Sequence, residues 1–166
     1  MTSSDSRFLL WLDDDPKHRY SYEEEILASD GWTIVWASSV VEAAQALKRR
    51  LQPSMRIRAL LLDQMTPWAG ELDHQDIWSG CKLLSWLRGN AFPSGYPWPE
   101  DDRTKGISSL GKPVPYNRSL PVLILSGFDD DDVARATKAV DDVPMLSKPV
   151  DLHYLRFWLA SKVPLP

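Results

Sequence analysis

The sequence predicts an α/β fold: a doubly wound parallel sheet of five strands with helices on both faces. Two observations carry this prediction. Five short apolar runs alternate with helical patterns along the 166 residues, as in successive strand-helix-strand units. Most positions of each run are apolar, rather than every second position, which is typical of strands buried on both faces. Right-handed crossovers between such strands produce a doubly wound sheet.

Three predicted strands and two predicted helices lie in the first half of the chain. The strands are the apolar runs at residues 8–12, 32–37 and 57–62. The first helical pattern begins at Pro16 and ends before Gly31, because glycine readily adopts the left-handed conformation that follows many helices. The second begins after a capping serine, Ser38 or Ser39, and ends before Pro53, which cannot continue a helix.

The second half of the chain continues the alternation, with one long interruption. The remaining strands are predicted at residues 121–125 and 143–146, and the remaining helices at residues 80–88, at 129–140 and after the capping residue Asp151. All elements fit a single domain of residues 1–166, with inserts at about 68–79 and 90–120. The prolines of the longer insert remove backbone donors, so we expect an ordered or semi-ordered surface feature outside the core.

The composition argues against several classes of function. The formal net charge is −4, and the only basic cluster, residues 48–50, suits the end of a helix, so nothing predicts a nucleic-acid footprint. No apolar stretch is long enough to span a bilayer, and the polar N-terminus lacks a signal-peptide core. The single cysteine, Cys81, cannot form an intrachain disulfide, and its apolar helical surroundings predict burial. We therefore expect a cytoplasmic protein without nucleic-acid or membrane partners.

Polar side chains stand at the carboxyl ends of four predicted strands. They are, in chain order, Asp13 and Asp14, then Asp63, Ser126 and Lys148. Ligands of open α/β sheets bind outside the carboxyl ends of the strands, so we expect these residues to converge on one crevice. A lone aspartate after a strand is more often a helix cap, which is our interpretation of Asp15.

The three carboxylates at the strand ends predict a metal site. Crowded carboxylates repel one another, which raises their pKa values unless a cation neutralises them. Mg²⁺ is the natural cation, because it takes oxygen ligands and binds through one or two carboxylates together with phosphate oxygens. One carboxylate could then attack phosphorus and form an acyl phosphate, whose oxygens a lysine and a hydroxyl would bind.

Four segments, LWLDDDP, LLLDQMTP, VLILSG and MLSKP, occur in this order, and each covers a predicted strand end. Together they resemble the receiver domain of response regulators, the fold of the bacterial chemotaxis regulator. The similarity covers nearly the whole chain outside the two inserts. It implies a flavodoxin-like sheet of order 2-1-3-4-5 and a phosphoryl-accepting switch of two-component signal transduction.

The resemblance also implies a role for each acidic residue. Asp63 resembles the phosphoacceptor. Asp14 resembles the direct Mg²⁺ ligand, and Asp13 resembles the ligand that acts largely through water. The backbone carbonyl of Met65 would complete the protein's share of the metal shell.

Two further residues resemble the groups that respond to phosphorylation. Ser126 resembles the switch hydroxyl that moves toward the phosphoryl group, and Lys148 resembles the lysine that pairs with it. The Lys148–Pro149 bond resembles the family's cis peptide. The resemblance implies a histidine kinase or phosphotransfer protein as phosphodonor and a downstream protein as target. It implies no enzymatic activity beyond self-catalysed phosphoryl transfer and slow autodephosphorylation.

The sequence departs from the family at Met145, because Tyr or Phe usually stands three residues before the lysine. A methionine cannot supply the same rotating ring. This change and the inserts favour an alternative, a receiver-like interaction module that is not phosphorylated. A second alternative is a phosphatase of the haloacid-dehalogenase type, with Asp13 as nucleophile and Asp15 as acid. This alternative leaves Asp63 without a role, and the sequence lacks the acidic pair that such a phosphatase needs after the lysine.

Overall fold

The computed structural model describes residues 7–15, 17, 22–50, 52–69, 75–76, 78–89, 107–127 and 131–164. Within these residues, the main sheet consists of β1 (Arg7–Leu12), β2 (Trp32–Ala37), β3 (Ile57–Asp63), β4 (Val122–Ser126) and β5 (Met145–Ser147). The helices are α1 (Tyr22–Ser29), α2 (Val40–Arg49), α3 (Ser79–Arg88), α4 (Asp131–Val140) and α5 (Leu152–Lys162). Short 3₁₀ helices lie at Pro53–Met55, Ile107–Leu110 and Pro115–Ser119. No helix of the described residues is long and apolar enough to cross a membrane.

The strands run parallel in the order β2-β1-β3-β4-β5, which confirms the predicted sheet. β1 pairs with both β2 and β3, so Leu12 lies opposite Ala37 on one side and Leu62 on the other. β3 also pairs with β4 on its other side, where Asp63, the last residue of β3, lies opposite Leu125 of β4. The strand order reverses between β1 and β3. The carboxyl ends of these two strands therefore frame the crevice where ligands bind in such sheets.

Helices cover both faces of the sheet, which explains why most residues of its strands are apolar. Successive side chains of a strand point to opposite faces. Leu10 of β1 packs in a cluster with residues of α2, α3 and α4, whereas its neighbour Trp11 packs with residues of α1 and α5. Cys81 of α3 is fully buried in the first cluster, as predicted.

Local signals set the helix boundaries largely where the sequence predicts them. Gly31 follows α1 with a φ of 82°, the left-handed conformation expected there. Ser39 Oγ accepts a hydrogen bond from Glu42 N at the start of α2, and Asp151 Oδ1 accepts one from Tyr154 N at the start of α5. The remaining predicted helical positions, residues 16, 18–21 and 129–130, lie outside the described residues.

The expectation that the longer insert lies outside the core is wrong for Leu110, Asn117 and Leu120, although residues 111–112 and 118–119 are exposed. Leu110 and Leu120 are 3% and 4% exposed and belong to the cluster beneath α2 and α3. Asn117 is also buried, and its Nδ2 donates to the carbonyl oxygen of Leu47 at 3.0 Å. Prolines remove backbone donors but do not prevent the side chains around them from packing. Residues 90–106 of the insert lie outside the described residues.

The same segment is bonded to the end of α3. Trp86 Nε1 donates to the carbonyl oxygen of Gly111 at 2.6 Å. Arg88 donates from Nη1 to the carbonyl oxygen of Arg118 at 2.7 Å, and from Nη2 to that of Leu120 at 3.0 Å. Because the segment leads directly into the first residue of β4, it lies at the amino edge of the sheet. It is therefore at the opposite edge from the strand ends that carry the acidic residues.

Candidate functional site

Three carboxylates meet at the carboxyl edge of the sheet. Asp13 and Asp14 follow β1, Asp63 ends β3, and one carboxylate oxygen from each lies within 4.8 Å of the others. β1 and β3 are paired neighbours, so their ends deliver these side chains to the same place. Asp13 and Asp63 are buried, and Asp14 is half-buried. The structure thus brings together the three acidic residues singled out in the sequence.

Lys148 contacts two of these carboxylates. Its Nζ donates to Asp63 Oδ2 at 2.8 Å and to Asp13 Oδ2 at 2.9 Å. The residue directly follows β5, and its backbone N–H donates to the carbonyl oxygen of Ser126 at 2.8 Å. The Lys148–Pro149 peptide bond is cis, as the resemblance implied. Lys148 therefore connects the outer strand β5 with the ends of β1 and β3.

Burial and charge act against each other on these groups. Burial raises the pKa of Asp63, and the charge of Asp13 adds to this rise, although the hydrogen bond from Lys148 opposes it. Burial by itself lowers the pKa of Lys148. The hydrogen bonds and charges of Asp63 and Asp13 outweigh that effect and raise the pKa of Lys148 above its usual value. Lys148 is therefore protonated at neutral pH and supplies a positive charge to the cluster.

Backbone donors orient the two buried carboxylates. Asp15 N donates to Asp13 Oδ1 at 2.9 Å, and Met65 N donates to Asp63 Oδ1 at 3.3 Å. In each case the other oxygen, Oδ2, binds Lys148. Each acid therefore presents one oxygen to its own backbone turn and one to the lysine, which holds both carboxylates in defined orientations.

The residues present fit a divalent cation. The acidic cluster offers only oxygen ligands, which Mg²⁺ prefers. When ionised, its three carboxylates together with one ammonium group carry a net charge of minus two, the charge that a divalent cation neutralises. Asp13, Asp14 and Asp63 are the residues that would hold it. The backbone carbonyl of Met65 stays a prediction as a further ligand.

Ser126 ends β4, the strand next to the one that carries Asp63. It is 4% exposed, and the residue before it, Leu125, lies opposite Asp63 in the register of the two strands. Ser126 itself lies opposite Ser147, the residue before Lys148. The predicted hydroxyl and the predicted lysine therefore stand on adjacent strand ends, on the far side of Asp63 from β1.

The first turn of α3 packs directly against the backbone around Asp63. A Cβ atom on Gly80 would lie 2.8 Å from the carbonyl oxygen of Asp63, so the approach requires glycine. Ser79 Oγ donates to the carbonyl oxygen of Gln64 at 3.0 Å and lies 2.9 Å from both the nitrogen and the hydroxyl of Thr66. Ser79 and Thr66 were not among the site residues predicted from the sequence. Their signal, a serine that opens a helix, does not identify what the serine binds.

The shorter predicted insert begins beside this site. Thr66–Pro67 pairs in antiparallel fashion with Gln75–Asp76. The carbonyl oxygen of Trp68 accepts a hydrogen bond from Val41 N in the first turn of α2, at 3.0 Å. The start of the insert therefore supplies a partner for a helix-terminal N–H group that α2 cannot satisfy itself. Positions 70–74 and 77 of the insert lie outside the described residues.

Solved structures share the fold of the chain, although no protein-family model and no curated protein sequence matches it. A candidate response regulator from Chloroflexus aurantiacus is 21% identical, with a TM-score of 0.62 and 93% of this chain and 95% of that chain covered. The chemotaxis protein CheY4 of Vibrio cholerae is 16% identical, with a TM-score of 0.61 and coverages of 95% and 98%. The BeF₃-activated N-terminal receiver domain of Klebsiella pneumoniae RstA is 17% identical, with a TM-score of 0.60 and coverages of 95% and 99%. The chain has the receiver-domain fold.

Within this receiver-domain fold, Met145 lies on the strand that leads to Lys148. It is half-buried, lies opposite Ile124 of β4 and packs against the core cluster beneath α2, α3 and α4. The side chain that packs there carries no aromatic ring. The structure therefore contains the strand-end residues of the predicted site together with a flexible side chain at this position.

Proposed function

We propose that this chain is a response-regulator receiver of a two-component system, phosphorylated on Asp63 in the presence of Mg²⁺. The contact of Lys148 Nζ with Asp63 Oδ2, at 2.8 Å, carries the proposal, because it lies inside the three-carboxylate cluster. Phosphorylation adds negative charge at Asp63. The ammonium group contacts the carboxylate on which that charge forms, and the neighbouring carboxylates of Asp13 and Asp14 complete the acidic cluster that could hold a cation.

The proposed reaction is a phosphoryl transfer to a carboxylate. An oxygen of Asp63 attacks phosphorus, the bond between phosphorus and the donor breaks, and the donor leaves with the electron pair of that bond. The proposed donor is a histidine of a kinase or of a phosphotransfer protein. Mg²⁺, when bound, supplies positive charge to the phosphoryl oxygens and to the acidic cluster. The product is an acyl phosphate on Asp63.

Lys148 and Ser126 would bind the phosphoryl group after transfer. The ammonium group of Lys148 has three donors, so it can bind a phosphoryl oxygen while it keeps its bond to Asp13. Its backbone N–H is bonded to the carbonyl oxygen of Ser126, so a shift of one strand end moves the other. We expect the response to centre on Ser126 and the residues that follow it. Met145 supplies no aromatic ring for a two-position switch.

Labelling with a small phosphodonor tests the proposal. After incubation with acetyl phosphate and Mg²⁺, intact mass should show one hydroxylamine-labile phosphoryl group on the wild-type protein and none on Asp63→Asn. Asp15→Asn is the matched control, because Asp15 follows Asp14 directly but lies outside the three-carboxylate cluster. It should be labelled like the wild type. Equal labelling of the wild type and Asp63→Asn contradicts the proposal and favours Asp13 as the nucleophile, as in the phosphatase alternative.

The second candidate function is an interaction module that keeps the fold and is not phosphorylated. Met145 favours it, because the side chain removes the ring that receivers commonly use for output. Under this alternative, neither acetyl phosphate nor BeF₃⁻ changes the protein's mass, tryptophan fluorescence or amide exchange in the presence of Mg²⁺. Under the main proposal, BeF₃⁻ changes amide protection at Ser126.

The same proposal includes the cellular location of the protein and the kind of partner that it binds. We place it in the cytoplasm, with a downstream protein as its target and no catalytic activity on other molecules. The acidic net charge of −4 supports a protein partner over a nucleic acid.

A further inference from the structure

The hydroxyl of Ser79 is bonded to the backbone on both sides of Met65. Ser79 Oγ donates to the carbonyl oxygen of Gln64 at 3.0 Å and accepts from the N–H of Thr66 at 2.9 Å. A hydroxyl has one proton and two acceptor positions. Because Gln64 receives the proton, the Thr66 hydroxyl, 2.9 Å away, must donate to Ser79. These buried contacts use the full hydrogen-bonding capacity of the serine.

Peptide geometry turns these bonds into an orientation for the carbonyl group of Met65. In a trans peptide, C=O and N–H point in opposite directions. The Gln64–Met65 peptide directs its oxygen to Ser79 and its N–H to Asp63 Oδ1, so the Asp63 carboxylate lies on the side of the backbone away from Ser79. The next peptide directs the N–H of Thr66 to Ser79. The carbonyl oxygen of Met65 therefore points to the side of the Asp63 carboxylate.

We infer that Ser79 is a positioning residue of the metal site: by binding the backbone on both sides of Met65, its hydroxyl turns the Met65 carbonyl toward the acidic cluster. The inference rests on the proposed function, in which this carbonyl is a Mg²⁺ ligand. Ser79 is fully buried at the start of α3 and does not itself belong to the cluster. The neighbouring Gly80 lets the helix approach closely enough for the bonds to form. The start of α3 thus fixes the orientation of the Met65 carbonyl, although Met65 itself lies in a loop.

The variant Ser79→Ala tests the inference through Mg²⁺ affinity. The change removes the hydroxyl that orients the two peptides but leaves Asp13, Asp14, Asp63 and Lys148 in place. We expect the Mg²⁺ dissociation constant, measured by calorimetry, to rise about 10-fold, as is usual when a group that orients a metal ligand is lost. Phosphorylation by acetyl phosphate should slow at low Mg²⁺ and recover at saturating Mg²⁺. A purely structural role of Ser79 would not produce this dependence on metal concentration.

Two control variants separate positioning from stability. Ser85→Ala removes another buried serine of α3, on a later turn of the same helix, and should bind Mg²⁺ like the wild type. Thr66→Val keeps the backbone N–H that Ser79 binds and removes only the hydroxyl contact. It should weaken Mg²⁺ binding less than Ser79→Ala, whereas Thr66→Ser should restore wild-type affinity. If Ser79→Ala does not fold, the Mg²⁺ affinities of Thr66→Val and Thr66→Ser are compared instead to test the inference.

The outcomes distinguish this inference from the proposed function. Wild-type Mg²⁺ affinity in a folded Ser79→Ala protein overturns the inference and leaves the proposed function standing. Equal losses of affinity in Ser79→Ala and Ser85→Ala overturn it too, because they would reflect general destabilisation. If Ser79→Ala is unfolded, equal affinities of Thr66→Val and Thr66→Ser overturn it. Failure of the wild-type protein to bind Mg²⁺ overturns the proposed function, and the inference with it.

Discussion

The first turn of α3 leaves no room for a side chain at Gly80, because a Cβ atom there would lie 2.8 Å from the carbonyl oxygen of Asp63. The helix therefore touches the backbone of the residue whose carboxylate binds Lys148. A larger residue at this position must displace either the helix or the end of β3. Because Ser79 binds the carbonyl oxygen of Gln64, the displacement would also reach the segment that follows Asp63.

Gly80→Ala should lower the free energy of unfolding by about 1–3 kcal/mol, the usual effect of overpacking. It should also slow the labelling of Asp63 by acetyl phosphate. Gly127→Ala is the matched control, because a Cβ atom there meets nothing within 4 Å. Urea unfolding measures the free energy of unfolding of both variants. If Gly80→Ala is as stable as Gly127→Ala, then α3 moves freely and the close contact with Asp63 does not constrain the site.

Lys148→Met should be most destabilising when Mg²⁺ is absent. The change leaves the carboxylates of Asp13 and Asp63 together without the ammonium group that binds both. Breaking a buried ion pair typically lowers the unfolding free energy by about 3–5 kcal/mol, and we expect less here because the lysine side chain is 21% exposed. Mg²⁺ should restore part of the loss, because it supplies positive charge to the same carboxylates.

Urea unfolding of Lys148→Met in EDTA and in excess Mg²⁺ measures this difference. Lys138→Met is the control, since Lys138 is an exposed residue of α4, and should show no such dependence. A loss of stability that is equal in EDTA and Mg²⁺ would mean that the ammonium group and the cation do not act on the same carboxylates.

The thiol of Cys81 should be unreactive in the native protein. Burial raises the pKa of Cys81 to about 12, and only the thiolate reacts readily with thiol reagents. Native protein at about pH 8 should therefore react only through unfolding, whereas urea-unfolded protein should react at once. Rapid modification of the folded protein would show that α3 opens or that the thiol is accessible.

The same pKa difference predicts a loss of stability in alkaline solution. The unfolded state releases the Cys81 proton near the ordinary value of 9.0, whereas the folded state holds it to about 12. The folded state then binds more protons, so the free energy of unfolding falls as pH rises through this window and is unaffected below it. The wild-type protein should lose stability more steeply than Cys81→Ala above pH 9.0. Parallel pH profiles of the two proteins would contradict this prediction.

The strand-end residues could be predicted from the sequence because local pattern and topology both specify their place. Asp13 and Asp63 directly follow apolar runs, and the ends of parallel strands share one edge of the sheet. The direct bonds of Lys148 to both acids were not predicted. The resemblance described only the pairing of the lysine with a phosphoryl group, and contacts before phosphorylation depend on side-chain packing.

The contacts of Ser79 could not be predicted, because its partners Thr66 and Gln64 lie 13 and 15 positions earlier. An insert separates them, and no local pattern specifies the path by which that insert returns to α3. The proline-rich segment before β4 shows a different limit. Its composition correctly predicts an irregular backbone, but it does not indicate that Leu110 and Asn117 are buried.

Asn117 should be a major anchor of the 107–120 segment. Its Nδ2 binds the carbonyl oxygen of Leu47 at the end of α2, and both groups are buried. Asn117→Ala leaves that oxygen without its donor and should lower the free energy of unfolding by about 1–3 kcal/mol. Ser119→Ala, an exposed position in the same 3₁₀ helix, should change it by less than about 0.5 kcal/mol.

Two further measurements test whether this segment belongs to the core. Leu110→Ala should lower the free energy of unfolding by about 2–5 kcal/mol, as expected for a buried leucine, and replacement of residues 107–120 by a short turn should abolish cooperative unfolding. Folded Asn117→Ala should keep wild-type Mg²⁺ affinity, because the segment lies at the opposite edge of the sheet from Asp63. A stable, cooperative deletion variant would show that the helices and sheet close without this segment. The burial of Leu110 would then be a consequence of the fold rather than one of its supports.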